Sequence, residues 1–259
     1  MRSACSTVCA RAGVGRAKLA PLATDTQTSH RQCTGAAWPS AAAKQRLCSR
    51  VHLRLCYFSS VNSNGFTVWL TGLPCSGKST VARNLARRLL RRGRRVEVLD
   101  GDLVRQSLSY GLGFGREDRD RNIQRIAFVA NLLSRNDVVV IVAVVSPYRA
   151  ARDEARRSLS HFFEVHIDCP LSECEKRDVK GMYKRARAGE LRGFTGVDDP
   201  YEVPLNADLV VSTNLESSDQ SAARVESALI EAQLLGHNDP DLGDTPELEQ
   251  RYSQLFLWR

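Results

Sequence analysis

Lys78 and Ser79, closing a glycine-bracketed octet, are the residues of this chain whose chemistry is plainest. The octet Gly72-Leu73-Pro74-Cys75-Ser76-Gly77-Lys78-Ser79 has the spacing G-x-x-x-x-G-K-[ST]. Gly72 and Gly77 free the backbone to take positive φ, so that successive N–H groups can turn inward on a phosphate. A lysine in this position reaches the β- and γ-phosphates of a nucleoside triphosphate, and the hydroxyl after it can ligate Mg²⁺. The stretch from Gly72 to Thr80 is therefore predicted to hold ATP or GTP. The motif leaves open what is done with the nucleotide.

Carboxylates follow at Asp100-Gly101-Asp102. Two acids flanking a glycine at a strand end can orient Mg²⁺ or take a proton from an attacking hydroxyl. The other reading is a turn with an aspartate helix cap. Beyond them lie Arg105, Gly113-Phe114, and Arg119, Asn122 and Arg125 at three-residue intervals. That spacing predicts one helix face of cations and an amide, suited to a second anion or simply solvated. At Val145-Ser146-Pro147-Tyr148-Arg149 the proline ends an apolar run and leaves the Ser146 hydroxyl at its tip. Residues 178–196 carry five Lys or Arg, at 180, 184, 185, 187 and 192, among four glycines. Such a segment suits a mobile basic lid over phosphates, with Phe194 placed to stack on a purine.

The elements that must hold these residues alternate. Residues 66–71 form an apolar, β-rich run before the octet; after it Val81, Leu85 and Leu89 recur at helical spacing. Strands are predicted at 96–99, 138–145, 162–167 and 209–212. Helices are predicted at 117–134, 149–159, 171–188 and 217–235. Val138 to Val145 is continuously apolar, as a central parallel strand covered on both faces must be. The alternation predicts an α/β fold of the P-loop type: a parallel sheet of about five strands, helices on both faces, and ligands beyond the C-terminal strand ends.

Charge separates the chain into parts. Residues 1–60 carry nine Arg or Lys and one acid, Asp25, while residues 61–259 carry 28 of each sign. The body therefore offers no global field for nucleic acid. No apolar run reaches the ~18 residues of a membrane span. The eight cysteines show no CxxC pair or zinc spacing, which favours a reducing compartment. Residues 1–60, rich in Ala, Ser, Thr and Arg, have the composition of a plastid or mitochondrial transit peptide; a disordered tail or read-through from a wrong start codon are the alternatives. The expected organisation is an extension at 1–60, a kinase-type domain at 61–235, and a polar, acidic tail at 236–259.

The ordered set GLPCSGKST, LDGD, GF, RDRNIQR, VSPYR, RDVKGMYKRARAGE, GFTG and DDPYE, spread over about residues 64–235, resembles the adenylyl-sulfate kinases. The resemblance implies ATP-dependent phosphorylation of the ribose 3′-hydroxyl of adenylyl sulfate, with Mg²⁺ and in a homodimer. It implies that Gly72 to Thr80 hold ATP, that Lys78 serves the transferred phosphoryl group, and that Ser79 and Asp100 meet the metal. Asp100, with Asp102 nearby, works at the 3′-hydroxyl. Arg105, Phe114, Arg119, Asn122, Arg125, Val145 and Ser146 line the adenylyl sulfate site, and Lys180, Gly193 and Phe194 close it from the lid. Ser146 holds the position assigned in the family to a phosphoserine intermediate. No base neighbours it in sequence, so direct transfer is expected. Leu103 departs from the Asn that commonly follows the DGD. No sulfate adenylyltransferase segment is present, so adenylyl sulfate made elsewhere is the expected substrate. The rivals are another small-molecule kinase of this fold and a non-catalytic nucleotide-binding regulator.

Overall fold

The computed structural model describes residues 65–237 and 239–256. The proposed targeting extension at 1–60 lies outside the described residues, as do Leu257 and Trp258 of the apolar C-terminus. Five strands, β1 (Thr67–Thr71), β2 (Arg95–Asp100), β3 (Val138–Ala143), β4 (Phe162–Asp168) and β5 (Leu209–Ser212), form one sheet in the spatial order β2-β3-β1-β4-β5. Every pairing is parallel, and β1 sits between β3 and β4, with Thr67 opposite both Val140 and Phe162.

Alternation along the strands divides the core in two. Phe66, Val68 and Leu70 join Val139 and Ile141 on the face covered by α1 (Lys78–Arg91) and α7 (Ser218–Glu231). Trp69, Val138, Val140 and Val142 point the other way, against α3 (Arg116–Ser134) and α4 (Arg149–Ser158). β1 and β3 are buried along their whole length, which is why their sequences are apolar runs with no polar face. The β3 strand ends at Ala143, two residues short of the apolar run, because Val144 to Pro147 peel away to build the cleft.

One expectation changes, and one left open is resolved. The helix predicted at 171–188 is two helices, α5 (Leu171–Arg177) and α6 (Met182–Arg187). Asp178 breaks it: its carboxylate accepts from the N–H groups of Tyr183 (3.1 Å) and Lys184 (3.0 Å), capping α6, while Gly181 adopts φ +65°. The acidic tail, in turn, docks on the domain. Thr245 caps α8 (Pro246–Gln254), which buries Leu248 against α1. Asp239 and Asp241 pair with Arg94 and Arg91, and Glu249 with Arg87. The short helix α2 (Gly101–Gln106) follows β2 directly.

Candidate active site

The strand ends open into a cleft of ≈ 1150 Å³. On one wall stand Lys78, Ser79, Thr80 and Thr213. On the other stand Asp100, Arg105, Phe114, Arg119 and Asn122, with Lys180 and Phe194 reaching over from the lid.

The first wall is made of backbone. Gly77 adopts φ +100° at the head of α1, a conformation that suits glycine, and turns the loop N–H groups toward the cleft. A side chain at Gly72 would meet the Ile167 carbonyl at 2.5 Å, so this glycine is required by close approach to β4. The Lys78 ammonium folds back on the loop and donates to the carbonyls of Gly72 (3.0 Å) and Leu73 (2.6 Å). Burial lowers its pKa to about 8. The loop is braced from outside: Thr213 donates to the Ser76 carbonyl (2.6 Å), Arg177 holds Thr213, and the Tyr183 hydroxyl donates to the Pro74 carbonyl (3.0 Å). Pro74 and Cys75 thus serve through the main chain. The Cys75 side chain packs against a small cluster that includes Tyr183 and Cys174, and burial pushes the Cys174 thiol up to about 12.

Asp100 satisfies both readings of its sequence. Its Oδ1 accepts from the Asp102 N–H at 3.0 Å and caps α2, and the same buried carboxylate lines the cleft. Asp102 is exposed and pairs with the exposed Lys180, across from the start of α2.

The second wall is made of side chains tied across long sequence distances. The Arg105 guanidinium lies 4.4 Å from the Phe114 ring centroid, and burial beside Arg119 lowers its pKa. Arg119 donates to the Phe114 carbonyl at 2.7 Å and to Gly193 and Thr195 of the lid, so it fastens the two segments to each other. The N–H groups of Gly193 and Phe194 donate to Asp198 and hold its carboxyl below the usual range. Asn122 is buried and accepts from Ser109. Phe194 lines the cleft with its ring edge-on to Tyr183, centroids 4.9 Å apart.

Two candidates stand differently from expectation. Arg125 is exposed, outside the cleft, and donates to the Leu108 carbonyl (3.1 Å). Each three-residue step falls about 60° short of a helical turn, so two steps carry Arg125 off the face shared by Arg119 and Asn122. Ser146 is buried and left-handed (φ +39°), but its hydroxyl is spent: it donates to Thr71 Oγ1 (2.9 Å) and accepts from Trp69 Nε1 (3.1 Å). Neither neighbour is a base. Val145 beside it lines the cleft.

A match to the family model described as adenylylsulphate kinase spans residues 64–212. The chain belongs to the adenylylsulphate kinase family. Among curated adenylyl-sulfate kinases, that of Microcystis aeruginosa is 53% identical over 171 residues, 66% of this chain and 94% of that protein. The Picosynechococcus enzyme is 52% identical over 176 residues, 68% of this chain and 98% of that protein. The APS kinase CysC of Mycobacterium tuberculosis, solved in complex with AMPPNP and APS, shares the fold at TM-score 0.63 and 44% identity, covering 64% of this chain and 98% of that one.

For a kinase of this family, the residues that sequence reasoning passes over are the supports. Trp69 reads as core, and Thr71 as a strand end. Both hold Ser146, and Thr71 also bonds the Val145 carbonyl (2.8 Å) and the Tyr201 hydroxyl (3.0 Å). Arg152, 2% exposed, donates to the carbonyls of Ser146 and Glu202 and lies 2.9 Å from the buried Glu164. No local pattern marks Arg152: with Arg149 three residues before it and Arg156 four after, it reads as one more solvated arginine of α4.

Proposed function

We infer that this chain transfers the γ-phosphoryl group of ATP to the ribose 3′-hydroxyl of adenylyl sulfate, giving 3′-phosphoadenylyl sulfate and ADP. The observation that carries this is one cleft with two unlike walls: a phosphate loop facing a carboxylate, Asp100, flanked by the Arg105–Phe114 pair and Arg119. Lys78 and the loop N–H groups take the polyphosphate and the charge of the transferred group. Asp100 is placed to orient the acceptor hydroxyl and receive its proton. Lys180, held by Asp102, closes the lid and keeps water from competing as acceptor. Transfer is direct, because the Ser146 proton points at Thr71 and no base stands beside it.

Mg²⁺ fits the donor set. Ser79 and Asp100 line the same cleft, and no cluster of three or more metal-ligating side chains occurs among the described residues. A hydroxyl and a carboxylate with phosphates completing the shell is the usual arrangement for this ion, whose role would be to neutralise phosphate charge. We propose two further properties. Residues 1–60 direct the chain to a plastid or mitochondrion, on their basic, acid-poor composition. A reporter carrying them that stays in the cytosol would remove this reading. The chain is a homodimer; Tyr110, Phe128 and Leu132 leave apolar surface exposed. Sedimentation of the full chain as a monomer at micromolar concentration would exclude it.

The decisive test mixes the full chain with ATP, Mg²⁺ and adenylyl sulfate. ADP and a 3′-phosphorylated product should form in equal amounts. ADP formed equally well without adenylyl sulfate, or with another hydroxyl compound in its place, would overturn the assignment.

A further inference from the structure

Helix α1 carries a row of arginines, and most are neutralised. Arg87 meets Glu249, Arg88 meets Asp219 and Glu226, and Arg91 meets Asp241. Arg83 differs. Among the described residues no carboxylate lies within ion-pair distance of it, and the residue lines the cleft on the phosphate-loop side with Ser79, Thr80 and Thr213. What it touches instead is aromatic: the ring of Phe256, 5.5 Å from guanidinium to centroid.

Phe256 stands at the end of the C-terminal arm, which is fastened to α1 along its length. Leu242 N–H donates to the Arg91 carbonyl (2.8 Å), Leu248 is buried against the helix, and the Arg87 guanidinium lies 4.6 Å from the Tyr252 ring. Tyr252 meets Phe256 edge-on at 5.3 Å. The arm thus runs the length of α1 and places one ring under the only α1 arginine that faces the nucleotide side of the cleft. It lies beyond the 64–212 family match.

We propose that Arg83 is a contact for the polyphosphate of ATP, and that the C-terminal arm, through Phe256, positions it. An unneutralised guanidinium beside a phosphate loop has an anion as its natural partner, and such hydrogen bonds are charge-assisted. A long arginine side chain otherwise spreads over many rotamers; the ring beneath it removes part of that cost before the nucleotide arrives. The proposal rests on the ATP reading above and adds a residue and a segment to it. It also gives the arm an effect on one substrate only, since adenylyl sulfate is held by the opposite wall.

The test is calorimetric binding of a non-hydrolysable ATP analogue to the full chain, beside steady-state KM values. Arg83→Ala should weaken the analogue by about tenfold, roughly 1.4 kcal/mol, and leave the KM for adenylyl sulfate where it was. Phe256→Ala and Phe256→Leu should both weaken it in the same direction, and Phe256→Trp should restore it. Leucine keeps the apolar packing and loses the ring, so a wild-type Phe256→Leu would reduce Phe256 to packing and overturn the positioning role. The double variant Arg83→Ala/Phe256→Ala should bind no more weakly than Arg83→Ala alone; effects that multiply would also overturn the link. Unchanged binding in Arg83→Ala would overturn the contact itself. If the wild type bound the analogue in an Arg83-dependent way yet made no 3′-phosphorylated product, the arm's role would stand and the acceptor assignment would fall.

Discussion

The two walls of the cleft are built on different plans. The phosphate-loop wall is one continuous stretch, and it offers its ligand main-chain N–H groups whose aim is set by Gly77 at φ +100° and by the start of α1. The opposite wall is assembled from α2, α3 and the lid, and it offers side chains: Arg105 over Phe114, Arg119 tied to Gly193 and Thr195, Lys180 paired with Asp102. Backbone geometry tolerates changes of side chain, and Pro74 acts through its carbonyl, which accepts from the Tyr183 hydroxyl at 3.0 Å. A wall of mutually bonded side chains transmits every substitution to its neighbours. The first wall should therefore fail only where a charge is lost, and the second should fail by degrees.

Lys78→Ala gives the largest expected effect. Removing the cation of the phosphate loop itself should cut turnover about 10³-fold, with the melting temperature nearly unchanged; wild-type turnover would dissolve the contrast. Asp100→Asn keeps the cap on Asp102 and loses the charge, so a fall of about 10²-fold is expected. Asp102→Asn should be milder, acting on lid closure, and a reversal of these two would exchange their roles. The third test is pH. Burial lowers the pKa of Lys78 to about 8, and the charge of a bound triphosphate would raise it. Binding then takes up a proton, so ATP affinity holds below about 8 and weakens above it, by up to about tenfold per pH unit. Calorimetry in buffers of different ionisation heat reads the uptake, and Lys78→Met should abolish it. Phe194→Ala should raise the KM for adenylyl sulfate by roughly fivefold, within the range for losing one aromatic contact, and leave that for ATP alone. An equal rise in both would mean that the lid serves the two walls alike. Ser146→Ala should cost least, on the order of a few-fold, the worth of one or two buried hydrogen bonds. A phosphoenzyme on Ser146 that discharges at the turnover rate would overturn direct transfer.

The same contrast decides how much the sequence discloses. Gly72 to Ser79 can be read off directly, because a backbone site needs its residues consecutive and at fixed spacing. All five strands can also be placed within two residues, β1 and β3 as buried apolar runs and β2, β4 and β5 by their β-branched and aromatic residues. Side-chain sites resist such reading. Arg119 and Asn122 share a face, and Arg125 does not, because the drift of a 3.6-residue helix over two three-residue steps is easy to overlook. The break at Asp178 depends on a carboxylate turning back to cap its own chain. The arm's docking depends on Leu248 and Glu249 finding α1 some 160 residues away in sequence, as the Arg87–Glu249 bond shows (separation 162), and no local pattern announces such a partner.

The position of β1 also governs when the molecule can first hold a ligand. Among the described residues it is the first strand made, and it is the middle strand of the sheet, with one neighbour at Val140–Ala143 and the other at Phe162–His166. A growing chain must keep Thr67–Thr71 unpaired on both edges while about seventy more residues emerge, and on one edge for some ninety. At a synthesis rate of about 5–20 residues per second that is a wait of several seconds for an apolar segment with open hydrogen-bonding edges, the condition in which nascent chains are most prone to aggregation. The phosphate loop waits longer still, because the residues that brace it, Tyr183 and Thr213, lie more than a hundred positions further along the chain.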